Sequence, residues 1–193
     1  MSDVGAMTSS VAQLLEEHHL VVLSEDAARL DRFIASAWRS LESIADSQVI
    51  ILPGELALSF DAVCRLLELK YGSRKRIARN VDGMLHLLRA RTPRGRFQYV
   101  IWRNADALLE HDVGLFSEVV NALMGVAAER EHIDPDVLEL QRFIFTGGEK
   151  LGAYAEEGGG QFRAWLATNG SASFAPLADY VPRPPVLTLR LDG

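Results

Sequence analysis

Apolar residues along this chain follow two alternating rhythms. Short, largely apolar runs occur at Leu20-Val-Val-Leu23, Val49-Ile-Ile-Leu52, Phe97–Trp102, Arg142-Phe-Ile-Phe-Thr146 and Val186-Leu-Thr-Leu-Arg190. Their length and β-branched or aromatic content predict buried strands. Between the first two runs, Leu30, Phe33, Ile34, Ala37, Trp38 and Leu41 recur at helical spacing and form the strongest stripe in the chain. Further helices are predicted with Phe60, Val63, Leu66 and Leu67 on one face, stopping at Tyr71-Gly72. Another covers roughly 76–91, before the turn Thr92-Pro-Arg-Gly95. A longer one runs over 113–130, with Phe116, Val119, Val120, Leu123 and Ala127 together.

A short helix carrying Val11, Leu14 and Leu15 is expected before the first strand. Another is expected around Gln161–Ala167, after the glycines 158–160, and the proline-containing connection Val181-Pro-Arg-Pro-Pro185 leads to the last strand. Strands alternating with helices imply an α/β fold: three layers, with a mainly parallel five-stranded sheet covered by helices on both faces. Residues 1–10 are small and polar and read as a flexible N-terminus. Residues 11–193 read as a single domain, in keeping with about 100–200 residues per domain.

Composition narrows the function classes. With 48% hydrophobic residues in 193, the chain can bury a substantial core. It has neither a membrane-length apolar run nor a basic, then apolar N-terminus, so a soluble cytoplasmic protein is expected. The one cysteine, Cys64, falls in the apolar pattern of its helix and is expected in the core. His18, His19, His86, His111 and His132 show no ligand spacing, so no metal is expected, and no cofactor. No G-x-S-x-G elbow marks a serine hydrolase.

The charge is uneven. Between Arg65 and Arg103 stand eleven Lys or Arg against two acids, a local net of +9 within a total of −6, which leaves −15 elsewhere. Such asymmetry points to an anionic partner or to complementary faces of a self-assembling protein. Arg74, Lys75, Arg76, Arg79, Arg91, Arg94 and Arg96 are the candidate nucleic-acid contacts, since guanidinium groups on glycine- and proline-containing turns suit phosphate. The alternative is a solvated face that meets acidic protein surfaces.

The strand Phe97–Trp102 runs into Arg103-Asn104-Ala-Asp-Ala-Leu-Leu109, a long helix follows, and Phe143-Ile-Phe-Thr146 forms a later strand. In this order of elements the chain resembles the core of AAA+ or P-loop ATPases, especially the branch of replication-initiator and transposition-helper ATPases, over roughly residues 12–191. The resemblance implies a phosphate-binding loop after the first strand, over Ser24 to Asp31. It puts an acidic pair at Arg103 and Asn104 and a phosphate-sensing residue at Thr146.

The residues at those places are of the wrong kind. G-x-x-x-x-G-K-[ST] needs glycines to wrap phosphate, a lysine for the terminal phosphates and a hydroxyl for magnesium. Here Arg29 stands at the second glycine, Leu30 at the lysine and Asp31 at the hydroxyl, while Glu25, Asp26 and Asp31 repel phosphate. Arg103 and Asn104 cannot hold magnesium or orient water as carboxylates do. The small helical lid usual in the family is also expected to be missing.

The resemblance therefore implies a pseudo-ATPase, working as a protein-interaction or regulatory subunit whose partner is itself or an active relative. A nucleic-acid-binding accessory factor using the basic segment is the second reading. An enzyme of unrecognised chemistry on a generic α/β fold, receiver-like or other, is the third.

Overall fold

A computed structural model describes Leu15 and residues 20–72, 77–89, 97–133, 140–155 and 186–189. The strands are β1 (Leu20–Ser24), β2 (Ser47–Pro53), β3 (Phe97–Arg103), β4 (Leu140–Gly147) and β5 (Val186–Leu189). They lie parallel in the order β2-β3-β4-β1-β5. The four strands from β2 to β1 carry the described core, and β5 adds four residues alongside β1.

The helices are α1 (Ala27–Glu42), α2 (Phe60–Tyr71), α3 (Val81–Arg89), α4 (Asp106–His111) and α5 (Val113–Ile133), with a short 3-10 turn at Gly54–Leu56. Residues 149–155 are also helical. Burial on both faces explains why the strands read as continuous apolar runs.

Alternate strand residues feed two cores. Val21, Leu23, Tyr99, Ile101 and Ile144 pack under α1 against Leu30, Phe33, Ile34, Ala37 and Leu41, with Leu15 closing the cluster. On the other face Val100, Trp102, Phe143 and Phe145 meet Cys64, Leu67, Met84, Leu88, Phe116 and Val119. Trp102 and Phe145 sit edge to face at 5.3 Å, and Phe116 approaches both rings. Cys64 is buried, as expected. Of the stripe residues, Trp38 is not in the core: it is 41% exposed, which leaves the interface alternative for it.

Local chemistry sets the helix ends. Ser59 caps α2 and Gly72, with φ +63°, ends it. The helix expected from about 76 begins at Val81, because the Asn80 side chain accepts from Gly83 N–H at 2.9 Å and Ile77 N–H is held by Glu68 Oε1 at 2.7 Å. Asp112 breaks α4 from α5, accepting from Leu115 N–H at 2.9 Å. The helix expected at 161–167, the glycines 158–160 and the connection 181–185 lie outside the described residues. No described helix is long and apolar enough to cross a membrane.

Candidate site at the carboxyl ends of the strands

The parallel order brings the carboxyl ends of β1, β3 and β4 together beside the start of α1, the place where open α/β sheets bind ligands. Only Glu25 and Asp26 connect β1 to α1. Residues 27–31, expected to form the second half of a phosphate-wrapping loop, are instead the first turns of the helix. The cause lies in Asp26. Its backbone is extended, and its Oδ1 accepts from Ala28 N–H and Arg29 N–H at 3.0 Å each, so it is a strong N-cap that starts the helix early.

That cap also changes what the site can bind. The first-turn amides of a helix are its anion-binding groups, and here an internal carboxylate takes two of them. Arg29 bonds to Glu25 at 3.3 Å, and Leu30 is buried in the core under α1, 4% exposed. Asp31 lies on the second turn, 3.3 Å from Arg103 Nη2.

Arg103 is the last residue of β3 and alternates with Ile101 and Tyr99, so it emerges on the α1 side of the sheet. Its Nε is buried without a hydrogen-bond partner among the described residues. Thr146, on β4, alternates with Ile144 and faces the same way. It is fully buried, and its Oγ1 also lacks a partner among the described residues. Asn104 has left-handed backbone, φ +50°, and its Nδ2 donates to Glu55 Oε2 at 3.3 Å. The structure thus gathers Arg103, Asp31 and Thr146 on one side. It turns Leu30 inward and directs Asn104 toward the 3-10 turn.

Ser24 and Thr146, both candidates from the sequence, are tied into these ends by Ala105, Asp106, Gly147 and Gly148, which the sequence did not single out for the site. The Ser24 hydroxyl donates to the Gly148 carbonyl at 2.9 Å, and Glu25 N–H donates to Gly147 O at 3.1 Å. Gly148 N–H donates to Asp106 Oδ2 at 2.9 Å, and Ala105 N–H to Thr146 O at 2.8 Å. A Cβ on Gly147 would lie 2.8 Å from Asp106 Oδ1. The Gly-Gly pair at the end of β4 was a visible signal for such close approach. The strand ends are stitched to one another by these bonds. Ser24 is spent on a carbonyl rather than paired with a base.

The basic segment is described only in part. Arg74, Lys75, Arg76, Arg91, Arg94 and Arg96 lie outside the described residues. Arg79 binds Asp61 at 3.0 Å and Glu68 at 2.9 Å, so its charge is already matched. It borders an open cavity of about 720 Å³ together with Arg65, Leu69, Gly72 and Ile77. Cys64 lies nearby, and burial pushes its thiol pKa up, partly offset by Arg79. Among the described residues, no group of three His, Cys, Asp or Glu could hold a metal ion.

No family model matches the chain, and no curated protein matches it. Among solved structures it is similar to the ORC2 protein of Aeropyrum pernix, with a TM-score of 0.60 and 12% identity, over 98% of this chain and 47% of that one. It is also similar to Cdc6p from Pyrobaculum aerophilum, with a TM-score of 0.54 and 11% identity, over 97% of this chain and 45% of that one. The chain spans less than half the length of either. At this identity the likeness shows the fold: a parallel sheet and helices similar to those of AAA+ ATPase domains.

Proposed function

We propose that this AAA+-like domain does not hydrolyse nucleotide and works through protein association, as an interaction or regulatory subunit. The observation that carries this reading is the β1–α1 junction. A phosphate-binding loop needs a run of free amides, whereas two residues span this junction and Asp26 occupies the helix amides. Phosphate would also meet Glu25, Asp26 and Asp31 at close range, at an electrostatic cost that Arg29 and Arg103, each engaged with one of these acids, do not offset.

The neighbouring ORC2 protein was solved in ADPNP and ADP complexes. In this chain the Arg103–Asp31 pair stands where the resemblance puts the magnesium-binding groups, with Arg103 replacing a carboxylate and Asp31 a hydroxyl. A cation in the place of a metal ligand excludes the metal by charge. What then remains of the ATPase design is a rigid scaffold and its surfaces.

A thermal melt in the presence of magnesium with ATP or ADP tests the reading, because a ligand that binds only the native state raises Tm. The expected result is an unchanged Tm at millimolar nucleotide. A clear, concentration-dependent rise would contradict it.

A further inference from the structure

Strand β2 forms one edge of the sheet, paired with β3 on one side and, among the described residues, with no strand on the other. Its sequence, Ser47-Gln-Val-Ile-Ile-Leu-Pro53, carries no charge, and its proline comes last. Edges are ordinarily blunted by lysine, an internal proline or a bulge, because an unblunted edge pairs with whatever strand it meets.

The helix above is also open on that side. Asp31, Ala35, Trp38 and Glu42 succeed one another at spacings of four, three and four, forming one exposed stripe along α1. The opposite flank, with Arg29, Ser36 and Ser40, is half-buried, and Arg29 bonds to Glu25 beside β1. Since β1 lies three strands away from β2, the exposed stripe faces the β2 edge.

We propose that this edge and stripe join two copies of the chain about a twofold axis, with β2 pairing antiparallel to β2 of the second copy. Centring the pair on Ile50 sets Val49 opposite Ile51, β-branched residues that both pack on the α1 side of the sheet. Ser47 Oγ donates to Leu41 O, so the start of β2 is level with that turn of the helix. Three strand residues rise about 10 Å, which corresponds to about six or seven residues back along α1. The axis therefore passes near Ala35, a small side chain that lets two helices approach.

Charge complementarity selects a second copy over a foreign strand. Two α1 helices running antiparallel about Ala35 set Asp31 of one beside Arg39 of the other. Arg32 comes to Trp38 and Glu42 of the second copy. Each acid gains a cation and the exposed indole gains a guanidinium, all from one helix facing itself. This inference stands apart from the strand-end site and does not depend on whether nucleotide binds.

Light scattering on the full chain tests it, with the expected mass twice the 21.3 kDa of one chain. Trp38→Glu, a surface change, should leave the circular-dichroism spectrum of the fold unchanged and weaken the dimer by about tenfold or more. Ala35→Cys should cross-link the two copies on oxidation, a clean readout because the native Cys64 is buried. A monomer at all concentrations, an undiminished dimer in Trp38→Glu, or no cross-link through position 35 would each overturn the proposal.

Discussion

Arg103 Nη2 lies 3.3 Å from the Asp31 carboxylate, tying the last residue of β3 to the second turn of α1. The two side chains are 43% and 57% exposed, so solvent and salt screen the pair. Asp31→Ala and Arg103→Ala are each expected to cost less than about 1 kcal/mol in chemical denaturation, with a coupling energy in the double-mutant cycle of similar or smaller size. Neither change is expected to create nucleotide binding, because the short β1–α1 junction and its Asp26 cap remain.

Gly54 holds the 3-10 turn against the crossing from β3 to α4. A Cβ at this position would stand 2.0 Å from the Asn104 carbonyl oxygen and 2.6 Å from that of Arg103, both backbone atoms. Gly54→Ala must therefore displace backbone and is expected to destabilise the protein by about 2–4 kcal/mol, measured by urea or guanidinium unfolding. A loss under about 0.5 kcal/mol, the range of an ordinary surface change, would show that the turn is not locked to Asn104.

Cys64 gives a pH test with a definite sign. Burial raises its folded pKa above the unfolded value of 9.0, so below 9.0 the thiol is neutral in both states and its contribution is fully present. As pH rises from there through the folded pKa, the unfolded chain ionises first, and the contribution is lost. Wild type should therefore lose Tm in this alkaline window more steeply than Cys64→Ala, and the native thiol should react slowly with a thiol reagent until the protein unfolds. Parallel pH profiles for the two proteins would contradict the assignment.

The sheet and its helices were legible because period and composition agreed. Phe97–Trp102 is covered on both faces and is apolar but for Gln98, Val49–Leu52 is buried on one face and half-buried on the other, and the Leu30 to Leu41 stripe states its own face. The β1–α1 junction was less legible. Resemblance placed a loop over Ser24 to Asp31, while Asp26, a strong N-cap followed by two alanines, already signalled an early helix.

Two other features depend on distance in sequence. Asp106 meets the backbone amide of Gly148, forty-two positions away; the Gly147-Gly148 pair signals a close approach but does not name Asp106 as the partner. Buried Arg142 donates to Leu15 O at 2.6 Å across one hundred and twenty-seven positions, although a strand arginine ordinarily reads as an exposed one. Arg79 looked like a free cation in its basic run, and only the fold brings Asp61 and Glu68 to it.

Calorimetric titration of the full chain with ATP and with ADP, each with magnesium, tests the central claim most directly, since it reads occupancy without relying on turnover. The account predicts no binding heat at millimolar nucleotide, because Asp26 takes the helix amides and Arg103 with Asp31 fills the neighbouring charge site. Saturable binding in the micromolar range, weakened by substitution of Thr146 or Arg103, would contradict it and would make the strand ends a working nucleotide site.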